Sequence, residues 1–86
     1  MYRVEFVPSA ARAFRTFGRA VQRRLAKRID ALAYEPRPPG VEKLRGTKSR
    51  YRVRTGDYGI IYEVEDDLLL VLVVRIGHRR EVYRSN

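Results

Sequence analysis

The chain has 86 residues, and its 19 lysines and arginines exceed its 10 acidic residues, for a formal net charge of +9. This length supports one modest hydrophobic core, so we expect a single domain over residues 1–86. With no cysteine and one histidine, disulfides and thiolate sites are excluded and zinc is disfavoured, so we expect neither a metal nor a cofactor. The charge indicates a polyanionic partner, with nucleic acid as the first candidate.

The sequence carries no segment typical of a membrane or exported protein. Its longest apolar run, residues 68–74, is too short to cross a bilayer and is typical of a buried strand. Residues 1–5 lack the apolar stretch of a signal peptide. We therefore expect a cytoplasmic protein without a membrane partner.

Residues 2–34 predict a strand followed by two helices. Alternation over residues 2–7 indicates a short strand. Ser9 is expected to cap a helix that runs to residue 17, and Gly18 is expected to end that helix. A second, amphipathic helix is expected over residues 19–34, where apolar side chains recur every three or four positions: Val21, Leu25, Ile29 and Leu32.

The second half predicts three antiparallel strands, residues 50–55, 58–65 and 68–76, joined by tight turns. Residues 81–83 are expected to add a short extension. The last strand is apolar on both faces, so the face turned away from the helices needs cover from the C-terminal segment or a partner helix. The expected fold class is α+β, with two N-terminal helices packed on a small antiparallel β-sheet.

The strand over residues 50–55 predicts a cationic surface. Alternation places three arginines on one face: Arg50, Arg52 and Arg54. A two-residue turn would put Arg54 opposite Gly59 and Arg52 opposite Ile61. Further cations precede the strand with no acidic residue among residues 43–56: Lys43, Arg45 and Lys48. The structural alternative is an edge strand that is charged to prevent aggregation.

Residues 75–84 combine cationic, titratable and aromatic groups. Self-cleavage of RNA needs a base for the 2′-hydroxyl, cations for the charged phosphorane and an acid for the leaving 5′-oxygen. His78 can serve as base or acid, and Tyr83 or Tyr51 can stack on an unpaired base. A surface histidine and a core tyrosine are the structural alternatives, and each is the commoner outcome for such a residue taken alone.

Five stretches together resemble the RelE branch of the RelE/ParE toxin superfamily. They are KLRG at residues 43–46, YRVR at 51–54, GDY at 56–58, IYEV at 61–64 and VRIGHRREVY at 74–83. The resemblance implies an α+β fold similar to that of RelE and of microbial ribonucleases. It also implies cleavage of messenger RNA in the ribosomal A site, leaving a 2′,3′-cyclic phosphate and a 5′-hydroxyl.

The resemblance also assigns roles to individual residues. The positions that match the family's catalytic set are Arg52, Arg54, Arg79 and Tyr83, and His78 is common at its position in this branch. The cations expected to bind RNA around them are Lys43, Arg45, Lys48, Arg50 and Arg80.

The chain departs from the family in its candidate base. The best-known members carry lysines at the positions of Arg52 and Arg54, and a guanidinium stays protonated and cannot act as a general base. We expect His78 or Tyr83 to be the base, ahead of Glu81, which is also suited to pairing with an arginine.

Gly59 is the second departure, because the family usually places there an arginine that contacts the scissile phosphate. Losing one such donor typically lowers the rate by about 10²–10³. Three explanations are open: neighbouring arginines substitute, the enzyme is weak, or the chain is detoxified. Replacing Gly59 with arginine is expected to distinguish a lost cation from a working glycine.

Three functions follow from these expectations. The first is a ribosome-dependent endoribonuclease toxin that contacts messenger and ribosomal RNA. Alone it is expected to be a monomer, and it would form a heteromer with an acidic, RelB-like antitoxin. The second is a ParE-like, non-enzymatic inhibitor of DNA gyrase, and the third is an inactive relic that only binds its antitoxin. The arginine set favours the first, since a gyrase inhibitor has no need of it.

Overall fold

The computed structural model describes the backbone of residues 1–84 and the side chains of residues 1–82. Its elements in chain order are β1 (Arg3–Phe6), α1 (Pro8–Thr16), α2 (Arg19–Tyr34), β2 (Glu42–Lys43), β3 (Arg50–Thr55), β4 (Tyr58–Glu65), a 3₁₀ turn (Asp66–Leu68), β5 (Leu70–His78) and α3 (Arg79–Arg84). The α+β class is confirmed, and the predicted bounds of α2, β3 and β4 match those observed.

The sheet has five strands in the order β1-β5-β4-β3-β2. The β2–β3, β3–β4 and β4–β5 pairs are antiparallel, as predicted for the meander. However, β1 runs parallel to β5, pairing Arg3 with Leu70 and Phe6 with Val73. The expectation of a purely antiparallel sheet is therefore wrong, because the alternation within β1 does not determine which strand it joins or in which direction.

The ends of α1 differ from the prediction. The helix begins at Pro8 with Val7 as its N-cap, so Ser9 is not the cap. Proline suits this first position because its fixed φ is helical and its missing N–H is not needed there. The helix ends at Thr16, and Gly18 is the extended N-cap of α2. Carbonyl groups at the end of α1 accept hydrogen bonds from the side chain of Gln22 instead.

One hydrophobic cluster lies between the two long helices and the sheet. The predicted stripe of α2 supplies Leu25, Ile29 and Leu32, which are all buried. The strands supply Tyr62, Val71 and Val73, each with no exposed surface. We call the face of the sheet that packs on α1 and α2 the helix face.

The C-terminal part differs from the predicted strand and extension. Leu69 adopts a left-handed conformation with φ of 49° after the 3₁₀ turn, so β5 begins at Leu70 instead of residue 68. The residues expected to extend the sheet form α3, which packs on β4 and β5 with Val82 fully buried. The C-terminal segment thus packs on β5 at Gly77, after the apolar residues 68–74 for which cover was expected.

A polar network joins the loop after α2 to Tyr51 of β3 and to Asp66 in the β4–β5 connection. Arg37 donates to both carboxylate oxygens of Asp66 at 3.2 and 2.9 Å and to the hydroxyl of Tyr51 at 2.9 Å. The Tyr2 hydroxyl donates to Asp66 at 2.7 Å. Together these bonds fasten the N-terminus, the proline-rich loop and the β4–β5 connection to one another.

Candidate nucleic-acid interface

Strand β3 presents its arginines on the side of the sheet away from the long helices. Tyr51 and Val53 are buried in the core, so the alternating side chains Arg50, Arg52 and Arg54 emerge from the opposite side. We call that side the arginine face. The predicted register is confirmed, since Arg52 pairs with Ile61 and Arg54 with Gly59.

A β-bulge adds a fourth arginine that sequence reasoning did not place there. Tyr62 pairs with Val73, whereas Ile61 pairs with Arg75, so Val74 is an extra residue in β5. The bulge reverses the alternation beyond it. Ile61 is therefore flanked by Arg52 on one side and Arg75 on the other. Residues 70–74 of β5 are all apolar, so the sequence does not show which of them is the extra residue.

Two glycines lie on the arginine face next to the row formed by Arg52, Ile61 and Arg75, and we call them its floor. Gly59 and Gly77 pair across β4 and β5, and both are buried. A Cβ atom on Gly77 would lie 3.3 Å from Cγ2 of Val82 and 3.4 Å from Oε1 of Glu81, so α3 lies directly over this floor. Gly59 is therefore the buried neighbour of the glycine on which α3 packs.

Acidic side chains pair with two of the β3 arginines. Arg52 contacts Glu42 of β2 at 2.6 Å, and its side chain is only 11% exposed. Arg50 contacts Glu63 of β4 at 2.7 Å. Arg54 is exposed, and no ion pair involves it among the residues that the structure describes. Arg54 is thus the β3 cation most available to an external anion.

His78 lies apart from this group. It pairs with Tyr58, which packs against the core, so both belong to the helix face. The rings of His78 and Tyr58 meet edge-on with centroids 5.9 Å apart, and Tyr58 contacts Phe17 in the same way at 5.2 Å. The Nδ1 atom of His78 accepts a hydrogen bond from the backbone N–H of Arg80 at 3.3 Å. The structure does not bring His78 together with Arg52 and Arg54.

Helix α3 holds the remaining predicted catalytic positions. The backbone N–H of Arg79 donates to the carbonyl of Asp57 at 2.7 Å, which ties the start of α3 to the β3–β4 turn. Arg79 and Arg80 are exposed. Tyr83 belongs to α3 by its backbone, but its side chain lies outside the described residues. Glu81 places its carboxylate over Gly77, on the arginine face.

Three of the predicted RNA-binding residues line a depression at the β2 edge, whereas Arg80 lies apart from it in α3. The depression has a volume of about 520 Å³, and its lining includes Lys43, Arg45, Arg50 and Arg52. Lys48 is exposed in the same β2–β3 connection. This depression continues the arginine face laterally and gives a polyanion a longer cationic path than β3 alone.

Comparisons with known proteins agree with this geometry. A model of the ParE toxin family of type II toxin–antitoxin systems matches residues 4–83. The mRNA interferase toxin RelE of Escherichia coli K12 is 31% identical over 86 residues, covering 95% of this chain and 90% of that protein.

The chain belongs to the RelE/ParE toxin superfamily.

Solved structures of RelE toxins also share the fold. The RelE chain of the E. coli RelBE toxin–antitoxin complex gives a TM-score of 0.82 at 28% identity, covering 91% of this chain and 96% of that chain. The archaeal RelE–RelB complex of Pyrococcus horikoshii gives a TM-score of 0.80 at 34% identity, covering 91% of this chain and 94% of that chain.

No helix in the described part of the chain is both long and apolar enough to cross a membrane.

The described part of this RelE/ParE chain offers phosphate clamps and, apart from the carboxylates of Glu42 and Glu63 that pair with arginines, the carboxylate of Glu81. Arginine side chains can bind phosphate oxygens through paired N–H groups. Glu81 is an acceptor on the same face and can take a proton from a hydroxyl group. Within residues 1–82, no three histidine or acidic side chains converge so as to hold a metal ion.

Proposed function

We propose that this chain is the toxin of a type II toxin–antitoxin pair and cleaves messenger RNA on the ribosome. The observation that carries the proposal is the register of the sheet, which lines up Arg52, Ile61 and Arg75 across three strands with Arg54 beside them. These cations lie on one face of the sheet, next to the Gly59–Gly77 pair that α3 packs on, so a phosphate would bind at the arginines and not at the glycines. The E. coli relative is an mRNA interferase, which supports the same chemistry here.

Arginines on this face would stabilise the phosphorane, and Glu81 is the described group best located to act as general base. In this scheme the Glu81 carboxylate takes the 2′-hydroxyl proton, the 2′-oxygen attacks phosphorus, and the bond to the 5′-oxygen breaks. The products are a 2′,3′-cyclic phosphate and, once the leaving oxygen is protonated, a 5′-hydroxyl. His78 or Tyr83, which the sequence led us to expect as the base, is the alternative to Glu81 in this scheme.

The ribosome would complete this site. The described residues supply several fixed cations but do not supply an obviously paired base and acid. Binding of messenger RNA in a defined orientation would then contribute much of the rate. We therefore expect naked RNA to be cut poorly.

An acidic antitoxin is the proposed partner in the cytoplasm. RelE proteins of E. coli and P. horikoshii form complexes with RelB antitoxins. The formal charge of +9 favours an acidic partner for this chain as well. We propose that the toxin is monomeric alone and heteromeric with its antitoxin.

Cleavage assays with and without programmed ribosomes test the proposal. The expected result is messenger cleavage that requires ribosomes and falls when Arg54 is replaced by glutamine. Because the matching family model is that of ParE toxins, gyrase supercoiling is the parallel assay. Inhibition of gyrase without any RNA cleavage would favour the ParE-like function and overturn this one. Inactivity in both assays, with antitoxin binding retained, would identify a relic.

A further inference from the structure

A second cationic depression lies on the opposite side of the molecule from the arginine face. It has a volume of about 270 Å³ and is lined by Arg24, Lys27, Arg28 and Ala31 of α2 together with Thr55 of β3. Neither the family resemblance nor the proposed active site uses any of these residues. We call this depression the α2 site.

Three cations converge at the α2 site without an acidic counterpart. Lys27 and Arg28 lie three and four residues after Arg24 on α2, spacings at which like charges repel one another and oppose helix formation. Among the described residues none of the three takes part in an ion pair. Their mutual repulsion would be relieved by a bound anion.

Arg28 also leaves a buried donor unsatisfied. Its Nε is inaccessible to solvent and has no hydrogen-bond partner within the described part of the chain. Buried donors normally have an acceptor, and one that lacks it needs an explanation such as a missing ion. Arg24 lies alongside, with its guanidinium against the turn glycine Gly56. The site therefore has a partly buried donor within it and an exposed cation at its edge.

The location of the α2 site separates it from the cleavage face. Thr55 follows Arg54 in β3, so the two side chains emerge on opposite faces of the sheet. The sheet itself therefore lies between the α2 site and the arginine face. A polyanion held by both must either bend around the β3–β4 turn or present two separate segments.

We propose that the α2 site binds a backbone phosphate of RNA, from a segment other than the one held on the arginine face. The depression of about 270 Å³ has room for a phosphate group among the three cations. Guanidinium groups bind phosphate bidentately, and a lysine adds a point charge. The site rests on the proposed function only in that the source of the phosphate is RNA. It gives the toxin cationic contacts on two sides, as expected for a protein seated among ribosomal RNA segments.

Binding of phosphate itself is tested with inorganic phosphate and the full chain. Titration should shift the Arg28 Nε–Hε signal in ¹⁵N NMR spectra. It should do so several-fold less in Arg24→Gln/Lys27→Gln than in the control Arg19→Gln/Arg23→Gln, which removes the same charge from exposed positions of the same helix. Equal responses in the two double variants, or no shift of the Arg28 signal in the parent chain, would overturn the proposal.

Binding to RNA is tested with two ligands of different extent. Ribosome affinity should fall at least 10-fold in Arg24→Gln/Lys27→Gln and change less than 3-fold in the control, while affinity for a trinucleotide stays the same in both. Loss of trinucleotide binding in Arg24→Gln/Lys27→Gln would show that the α2 site is not separate from the site on the arginine face. Competition by polyglutamate that exceeds competition by RNA of equal charge would assign the site to an acidic protein instead. If phosphate shifts Arg28 but ribosomes are neither bound nor cut, the proposed function fails and the phosphate site stands.

Discussion

Gly59 lies directly opposite Gly77 across the β4–β5 pair, and a Cβ on Gly77 would be 3.3 Å from the Val82 side chain. A pair of facing glycines lets α3 approach the sheet closely, as glycine often does where backbone elements meet. The helix in turn brings Glu81 onto the arginine face. The residue at position 59 therefore has two roles: it determines whether the arginine face has a further cation, and it forms part of the surface on which α3 packs.

Replacing Gly59 with arginine separates these two roles. We expect Gly59→Arg to raise ribosome-dependent cleavage by about 10²-fold, the contribution typical of one preorganised donor, because residue 59 lies beside Arg54 on the arginine face. Gly59→Gln is the matched control, since it adds bulk without charge, and it should give no gain. Cleavage rates and melting temperatures are measured for both variants. Unchanged or lower activity in a folded Gly59→Arg protein would show that no cation is missing.

Glu42 contacts Arg52 at 2.6 Å, so it would compete with RNA for this arginine in the proposed site. Glu42→Gln should therefore strengthen RNA binding and steepen its salt dependence by about 0.7, the slope per phosphate contact for a single strand. Glu5→Gln is the control, because it removes the same charge from an exposed pair with Arg3 at the other edge of the sheet. Binding is measured between about 50 and 200 mM salt, the range in which such slopes are resolved. Equal effects of the two substitutions would mean that Glu42 acts only through net charge.

The parts of the fold that depend on local pattern could be predicted from the sequence. The stripe of α2 and the alternation of β3 each determine which side chains face the core, and the Gly56-Asp57 turn determines the pairing of Arg54 with Gly59. The arginine face follows from these local rules. Its three β3 arginines and their register with β4 were accordingly predicted correctly, whereas Arg75 was missed.

The parts that depend on long-range contacts could not be predicted in this way. The parallel pairing of β1 with β5 joins segments more than 60 residues apart, and nothing within β1 specifies it. The bulge at Val74 reverses which side of the sheet Arg75 and His78 occupy. Simple alternation through the β4–β5 hairpin therefore misplaces both residues, and with them the surroundings of the candidate base.

Asp66 makes stability depend on pH. The hydrogen bond from Arg37, followed by the one from Tyr2, holds the pKa of the Asp66 carboxyl below its ordinary value. A group whose pKa is lowered on folding stabilises the protein above its unfolded pKa, and that contribution is lost as the pH falls through the folded value. Melting temperature measured from about pH 6 to about pH 2 should therefore fall less steeply in Asp66→Asn than in the parent.

Asp67 provides the control for this prediction. It is the adjacent exposed acid, and no hydrogen bond or ion pair involves it among the described residues. Asp67→Asn should therefore retain the pH dependence of the parent chain. Identical curves for the parent and Asp66→Asn would show that the contacts to Arg37 and Tyr2 do not contribute to stability.

Glu81 and His78 can be distinguished as candidate bases because the sheet separates them. Glu81 lies over Gly77 on the arginine face, whereas His78 packs against Tyr58 on the helix face.

Glu81→Gln keeps the size and hydrogen-bonding capacity of the side chain but removes its basicity. It should lower single-turnover cleavage on ribosomes by about 10²–10⁴, the usual contribution of a general base. His78→Asn keeps an acceptor near the Arg80 N–H and should change the rate less than about 10-fold, well below that contribution. The reverse ranking, with both variants folded and ribosome-bound, would assign the base to His78 and require its ring to reach the substrate around the end of the sheet.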